Sequence, residues 1–170
     1  AGTKVIGTGS RLASGAYFNF SWIPGAPTAP DYPGLTYELI GASATCSEFV
    51  TLRISPGGDF ISDFFTGNGT STVTLPNIPG SFSQGASTMS KTGSVVVGTA
   101  YPVAGGLRGF YWTPAASTVA LPNPTGNSLQ TADGISRNGQ FIVGAVGAFS
   151  STQIFRFKIS DGTTVFYDIT

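Results

Sequence analysis

One segment of this chain repeats another at a fixed distance. Met89 to Gly98 (MSKTGSVVVG) aligns with Ile135 to Gly144 (ISRNGQFIVG) at a spacing of 46 residues. Ser71 to Asn77 (STVTLPN) aligns with Ser117 to Asn123 (STVALPN) at the same spacing, and Thr163-Thr164-Val165 follows after another 46. A period in this range marks an array in which each unit covers its apolar face with its neighbour. In a chain of 170 residues it leaves room for about four units.

Each unit reads as a strand ending in Ile/Met-Ser, a Gly-containing turn, an apolar strand, a loop, an aromatic strand, a turn and a final strand. Turn residues at short intervals between β-branched runs give antiparallel hairpins. The third unit is expected to hold strands over 85–90, 94–100, 107–113 and 117–121. In the fourth they are expected over 129–136, 140–146, 153–159 and 163–169. The first unit starts in mid-pattern: Gly2 to Thr8 (GTKVIGT) aligns with Gly93 to Thr99 (GSVVVGT), which leaves out a leading strand. Its Pro-rich stretch over 25–34 reads as an inserted surface loop. In the second, Arg53 to Ile61 (RISPGGDFI) aligns with the turn and second strand, so this unit is expected to be one strand short. The expectation is a single all-β domain, without significant helix, of four propeller-blade-like antiparallel sheets with approximate bounds 1–42, 43–80, 81–126 and 127–170.

Composition supports the same class and removes others. The chain has 24 Gly and 11 Pro, and 41% of its residues are hydrophobic, enough apolar surface to offset chain entropy in a turn-rich β fold. Charged residues make up 9% and the formal net charge is zero, so no basic patch serves nucleic acid or an anionic membrane surface. No apolar run is long enough for membrane insertion as a helix. Ala1, with neither Met nor a signal-peptide pattern before it, reads as the start of a processed chain or of a fragment. Cys46 is the single cysteine and cannot form an internal disulfide, so it is expected to be a buried, inert thiol.

The chain lacks the side chains most catalytic sites need. It has no His, which removes Ser-His-Asp and Cys-His arrangements and His-based zinc sites, and one thiolate cannot build a cysteine-only site. No cofactor is expected. Asp59 and Asp63 are the one close carboxylate pair, about 13 Å apart along an extended strand, too far for the two acids of a glycoside hydrolase. They read as two solvated acids near a turn. Asp161-Gly162 and Asn68-Gly69 read as hairpin turns, where the positive φ angles favour such pairs. Asn19-Phe20-Ser21 and Asn68-Gly69-Thr70 match the N-glycosylation triplet.

Aromatic residues are the strongest remaining signal. Phe18, Phe20 and Trp22 stand at alternate positions, as do Phe110 and Trp112, and Phe155 and Phe157, which puts each set on one sheet face. Either they stack on sugars or they are the core by which each sheet packs on the next, and the need of repeat units to bury their faces favours the core. Tyr111 lies on the opposite face. With Tyr17, Tyr32 and Tyr37 around the first unit's insertion, it is a better candidate for ligand or interface contact.

Ile135 to Gly144 and Gly109 to Pro114 (GFYWTP) resemble the I-S-x-D/N-G-x-x-V-V-G and A-F-x-W-T halves of the bacterial extracellular HAF repeat. The resemblance covers the third and fourth units well, the first in part and the second poorly. The name-giving His-Ala-Phe is reduced here to the Phe of Gly109-Phe110. It implies an extracellular, propeller-like repeat protein with no catalytic residues to carry over.

The expected function is therefore structural and non-enzymatic. A sheet lacking its leading strand exposes unpaired backbone groups that template a strand from another chain, and the edge concerned is Thr3, Lys4, Val5 and Ile6. The expectation is a subunit of an extracellular filament, surface layer or virion appendage, whose partners are copies of itself. The alternative is a lectin-like module whose partner is a glycan.

Overall fold

The computed structural model describes residues 5–10, 17–22, 38–66, 71–123, 129–148 and 151–168, the first two stretches by their strand pairing. Every regular element among the described residues is a β-strand. The order is β1 (Val5–Ser10), β2 (Tyr17–Trp22), β3 (Glu38–Ala42), β4 (Phe49–Ile54), β5 (Phe60–Thr66), β6 (Ser71–Thr74), β7 (Ser81–Met89), β8 (Val96–Pro102), β9 (Arg108–Thr113), β10 (Ser117–Ala120), β11 (Leu129–Gln130), β12 (Gly134–Ile135), β13 (Phe141–Ala148), β14 (Ser151–Lys158) and β15 (Thr164–Asp168). They form four antiparallel sheets: β1-β2; β3-β4-β5-β6; β7-β8-β9-β10; and β11-β13-β14-β15, with β12 also paired to β13. Paired strands are consecutive in sequence apart from β11 and β13, because β11 and β12 share the fourth sheet's leading position.

The turn that opens each unit shows why the sequence folds this way. In the third sheet the Ser90 N–H donates to the Val95 carbonyl at 2.8 Å while its Oγ accepts from the Val95 N–H at 3.1 Å. Ser136 closes on Phe141 in the same manner at 2.8 and 2.9 Å. The tight turn needs a left-handed residue, supplied by Gly93 at φ 76° and Gly139 at φ 74°.

A third copy of this turn corrects the expectation for the second unit. Ser43 closes on Glu48 with the same pair of hydrogen bonds, at 2.9 and 3.3 Å. The left-handed position is held by Cys46 at φ 54°. The Ser55 turn taken as its counterpart is the next hairpin, between β4 and β5, where the Ser55 N–H donates to the Asp59 carbonyl. With the register moved back by one hairpin, the second sheet has all four strands. Its leading strand, β3, comes from residues placed before the expected boundary at 43.

Both faces of an inner sheet are used for packing. The third sheet's Val96, Phe110 and Trp112 pack with Val50 and Phe64 of the second. Its other face, with Val95, Val97 and Leu121, packs with Ile142, Phe155 and Phe157 of the fourth. Each large side chain so buried contributes about 1.5 to 3 kcal/mol, and this face-to-face stacking is the core.

Within a sheet, a glycine lets the phenylalanine seat. Gly98 pairs with Phe110 and Gly144 with Phe155. A Cβ at Gly98 would lie 2.2 Å from the Gly85 carbonyl oxygen and 2.8 Å from the Phe110 ring; at Gly144, 2.0 Å from the Thr131 oxygen and 2.9 Å from Phe155. The leading strand bulges inward over each glycine. The register shifts between Ala86 and Thr88 in β7, and the fourth sheet's leading strand divides into β11 and β12. Gly7 pairs with Phe20 in the first sheet, so the same pairing recurs there.

Candidate interaction surfaces

The sheets are tied together at one end by their opening turns. The Ala44 N–H donates to the Lys91 carbonyl at 2.8 Å, and the Lys91 N–H to the Arg137 carbonyl at 3.2 Å. Around this ladder lie rows of side-chain hydroxyl and amide groups: Ser43, Thr45 and Ser47; Ser90, Thr92 and Ser94; Ser136, Asn138 and Gln140. They bond to one another within each turn, so this end is polar and internally satisfied. Cys46 belongs to it, half-buried in its turn instead of sealed in the core.

Connections between sheets are clamped by glutamines 46 residues apart. Buried Gln84 donates to the Pro76 carbonyl at 2.9 Å and accepts from the Ile78 N–H at 3.2 Å, fixing the link from β6 to β7. Gln130 donates to the Pro122 carbonyl at 2.7 Å on the next link. These are structural uses of polar side chains, with the amide groups serving the backbone of an extended connection.

Asp59 and Asp63 do not share a site. Asp59 lies in the β4–β5 turn near Ser55. Asp63 is not solvated as expected: it is 3% exposed and accepts from the Arg53 Nε at 2.8 Å and from the Thr74 hydroxyl. Asp63 pairs with Thr51 at the register position that Phe110 and Gly98 fill in the third sheet. The second sheet thus replaces an apolar pair by a paired charge. At the β14–β15 turn, Gly162 at φ 71° provides the left-handed position. Beside it, hydrogen bonds from Lys158 and then Thr163 hold the exposed Asp161 carboxyl well below the usual aspartate range.

The aromatic residues divide into two populations. Phe110, Trp112, Phe155 and Phe157 are 0 to 4% exposed, and Trp112 lies 4.7 Å from Phe64 across the interface. Tyr111, expected on a more open face, is half-buried with its ring 6.1 Å from Phe157, because the fourth sheet covers that side. Phe18, Phe20, Trp22 and Tyr17 fall in β2, whose pairing alone is described; Tyr32, Tyr37, Thr3 and Lys4 lie outside the described residues. Val5 and Ile6 stand in β1, which pairs with β2 and, among the described residues, with no other strand.

A surface cluster that sequence reasoning missed joins the second and third sheets. Phe60 stacks on Tyr101 at 5.6 Å and Tyr101 meets Phe82 at 6.5 Å, with Phe82 56% exposed. Phe82 is turned outward by the irregularity between Ser81 and Ser83 in the β7–β8 register. Strand alternation cannot reveal such a residue, since a bulge shifts the period at that point.

The exposed face of the fourth sheet is a further apolar surface. Val143, Ile154 and Tyr167 are 43 to 46% exposed, and Arg156 lies 5.4 Å over the Phe141 ring.

Four consecutive antiparallel sheets, the second to fourth of them stacked face to face, make this a β-propeller-type architecture. Solved structures with the same arrangement include TolB-like propeller proteins. A TolB from Agrobacterium tumefaciens superposes with a TM-score of 0.62 at 11% identity, over 96% of this chain and 60% of that one. TolB from Acinetobacter baumannii gives 0.63 at 11% identity, over 96% of this chain and 41% of that one. The chain therefore spans only part of the length of either relative. A prolyl endopeptidase structure gives 0.55 at 8% identity, over 98% of this chain and 29% of that one. At such identities the likeness is one of fold. No protein-family model matches the sequence, and no characterised protein is significantly similar to it.

Proposed function

We propose that this chain is a non-enzymatic extracellular structural subunit, built of HAF-type repeats, that assembles with copies of itself into a filament, surface layer or virion appendage. The observation that carries the proposal is the first sheet: β1 pairs with β2 alone among the described residues. An edge strand with free N–H and C=O groups takes up a strand from another chain unless something blocks it. Low charge supports close approach of identical subunits, since 9% charged residues at zero net charge give little mutual repulsion. Size-exclusion chromatography with light scattering across a concentration series, followed by electron microscopy, tests it. Concentration-dependent growth is expected, and a monodisperse monomer at every concentration would refute the reading.

The second reading, a glycan-binding module, draws on the Phe60, Tyr101 and Phe82 cluster, where the exposed Phe82 ring stands beside two half-buried rings, an arrangement on which a sugar could stack. The buried aromatics of β9 and β14 are unavailable for that purpose. A glycan array read with the wild type and Phe82→Ala separates the two readings, because a signal lost in the variant belongs to this cluster.

A further inference from the structure

The stacking rule of the interior breaks at the fourth sheet. Val50, Val97 and Val143 occupy one register position in three successive sheets, each one residue before the position of Thr51, Gly98 or Gly144. Val50 and Val97 are each 0% exposed, because the next sheet lays its aromatic face on them; Val143 is 43% exposed. The cross-sheet row repeats the contrast. Buried Ser62 and Gly109 correspond to Ile154, which is 45% exposed, and Phe64 and Tyr111 correspond to the exposed Arg156. Val165 pairs with Arg156 and Tyr167 with Ile154, which extends the face onto β15.

The surface that covers this position elsewhere is known from the third and fourth sheets: a Gly–Phe pair flanked by a second aromatic residue, Gly98–Phe110 with Trp112 and Gly144–Phe155 with Phe157. The first sheet carries the same set at the same register, Gly7 opposite Phe20 and Val5 opposite Trp22. In the third and fourth sheets this set faces the preceding sheet. Among the described residues the first sheet adjoins β3 of the second and makes no extended contact with the fourth. We infer that the β13–β14–β15 face, centred on Val143, Ile154 and Tyr167, is a docking surface for the β1–β2 sheet of a second copy of this chain. The joint is head-to-tail and continues the interior stacking from copy to copy. Arg156 then meets an aromatic face, where a guanidinium is well accommodated. Such a heterologous contact does not close on itself in pairs and propagates as a ring or filament.

This inference rests on the self-association reading and adds the face to the edge. Its test is sedimentation velocity on the 170-residue protein, comparing wild type with Ile154→Lys and Tyr167→Ser. Both sites are close to half exposed, so thermal melts near that of the wild type are expected and confirm folding. Placing a lysine in the joint is expected to weaken association by about tenfold or more, with Tyr167→Ser weakening it in the same direction. If wild type associates and neither folded variant changes it, the face assignment is wrong and assembly through the edge stands. If wild type is monomeric throughout, both readings fall, and a Val143 protected from solvent in that monomer would identify the chain's own first sheet as the occupant.

Discussion

Replacing Gly98 with Ala probes the feature on which the repeat turns. The new methyl carbon would sit 2.2 Å from the Gly85 oxygen, 2.8 Å from the Ala86 Cα and 2.8 Å from the Phe110 ring. Two of those three atoms are backbone, in a strand held to β8 on one side and bonded through the Ala86 N–H to Ser62 of the second sheet on the other. No rotamer change relieves the overlap, so β7 must move by about an ångström and strain its contacts with the second sheet. Overpacking of this kind costs about 1 to 3 kcal/mol and sometimes more, and the backbone clash puts Gly98→Ala at about 3 kcal/mol or above. For a domain of this size that corresponds to a fall in Tm of roughly 6 to 12 °C. The internal control is Gly57→Ala: a Cβ there meets Ser55 and Asp59 side chains at 3.6 and 3.7 Å, ordinary contact distances. It should be neutral or slightly stabilising, by up to about 1 kcal/mol, through the unfolded chain. Urea unfolding followed by the fluorescence of Trp112, which is 4% exposed in the interface beside this strand, reads both variants. Equal midpoints for the two would refute the claim that the glycine is required by the inward bulge.

Three further outcomes follow from the second and fourth sheets. Arg53→Ala should cost more than Asp63→Asn, about 3 kcal/mol against about 1 to 2, because the first strips a buried carboxylate of its cation while the second leaves an arginine that is partly exposed to water; denaturant midpoints decide the order. Cys46→Gly should raise Tm by a few degrees, since glycine takes the left-handed turn position without the strain of about 1 kcal/mol borne by another residue, and Cys46→Val should lower it. Asp161, whose folded carboxyl is held low first by Lys158 and then by Thr163, contributes stability present above the ordinary aspartate range and lost as pH falls through its folded value. At this exposed site the effect is small, so Asp161→Asn should alter Tm at neutral pH by less than about 2 °C and flatten its decline on acidification.

The third and fourth units were readable from sequence because their turn and strand residues recur at an unbroken 46-residue spacing and because Gly93 and Gly139 announce the left-handed turn. The second unit was not, since Cys46 fills that position, and the more conspicuous Pro56-Gly57-Gly58 drew the alignment to the following hairpin. Similar logic hid Asp63: a carboxylate standing where the other sheets have phenylalanine reads as a surface residue until Arg53 and Thr74 are seen to meet it.

Periodicity in the sequence determined that the chain is an array of antiparallel sheets and that Phe110 with Trp112, and Phe155 with Phe157, share one face of their sheets, because these depend on residue type and on spacing along the chain. Which surfaces are left over depends on distances between units, and only the tertiary structure decided that. Val97 and Val143 are the same residue in the same repeat position. One is sealed by the next sheet and the other is open, because burial belongs to the neighbour across the interface and not to the residue itself.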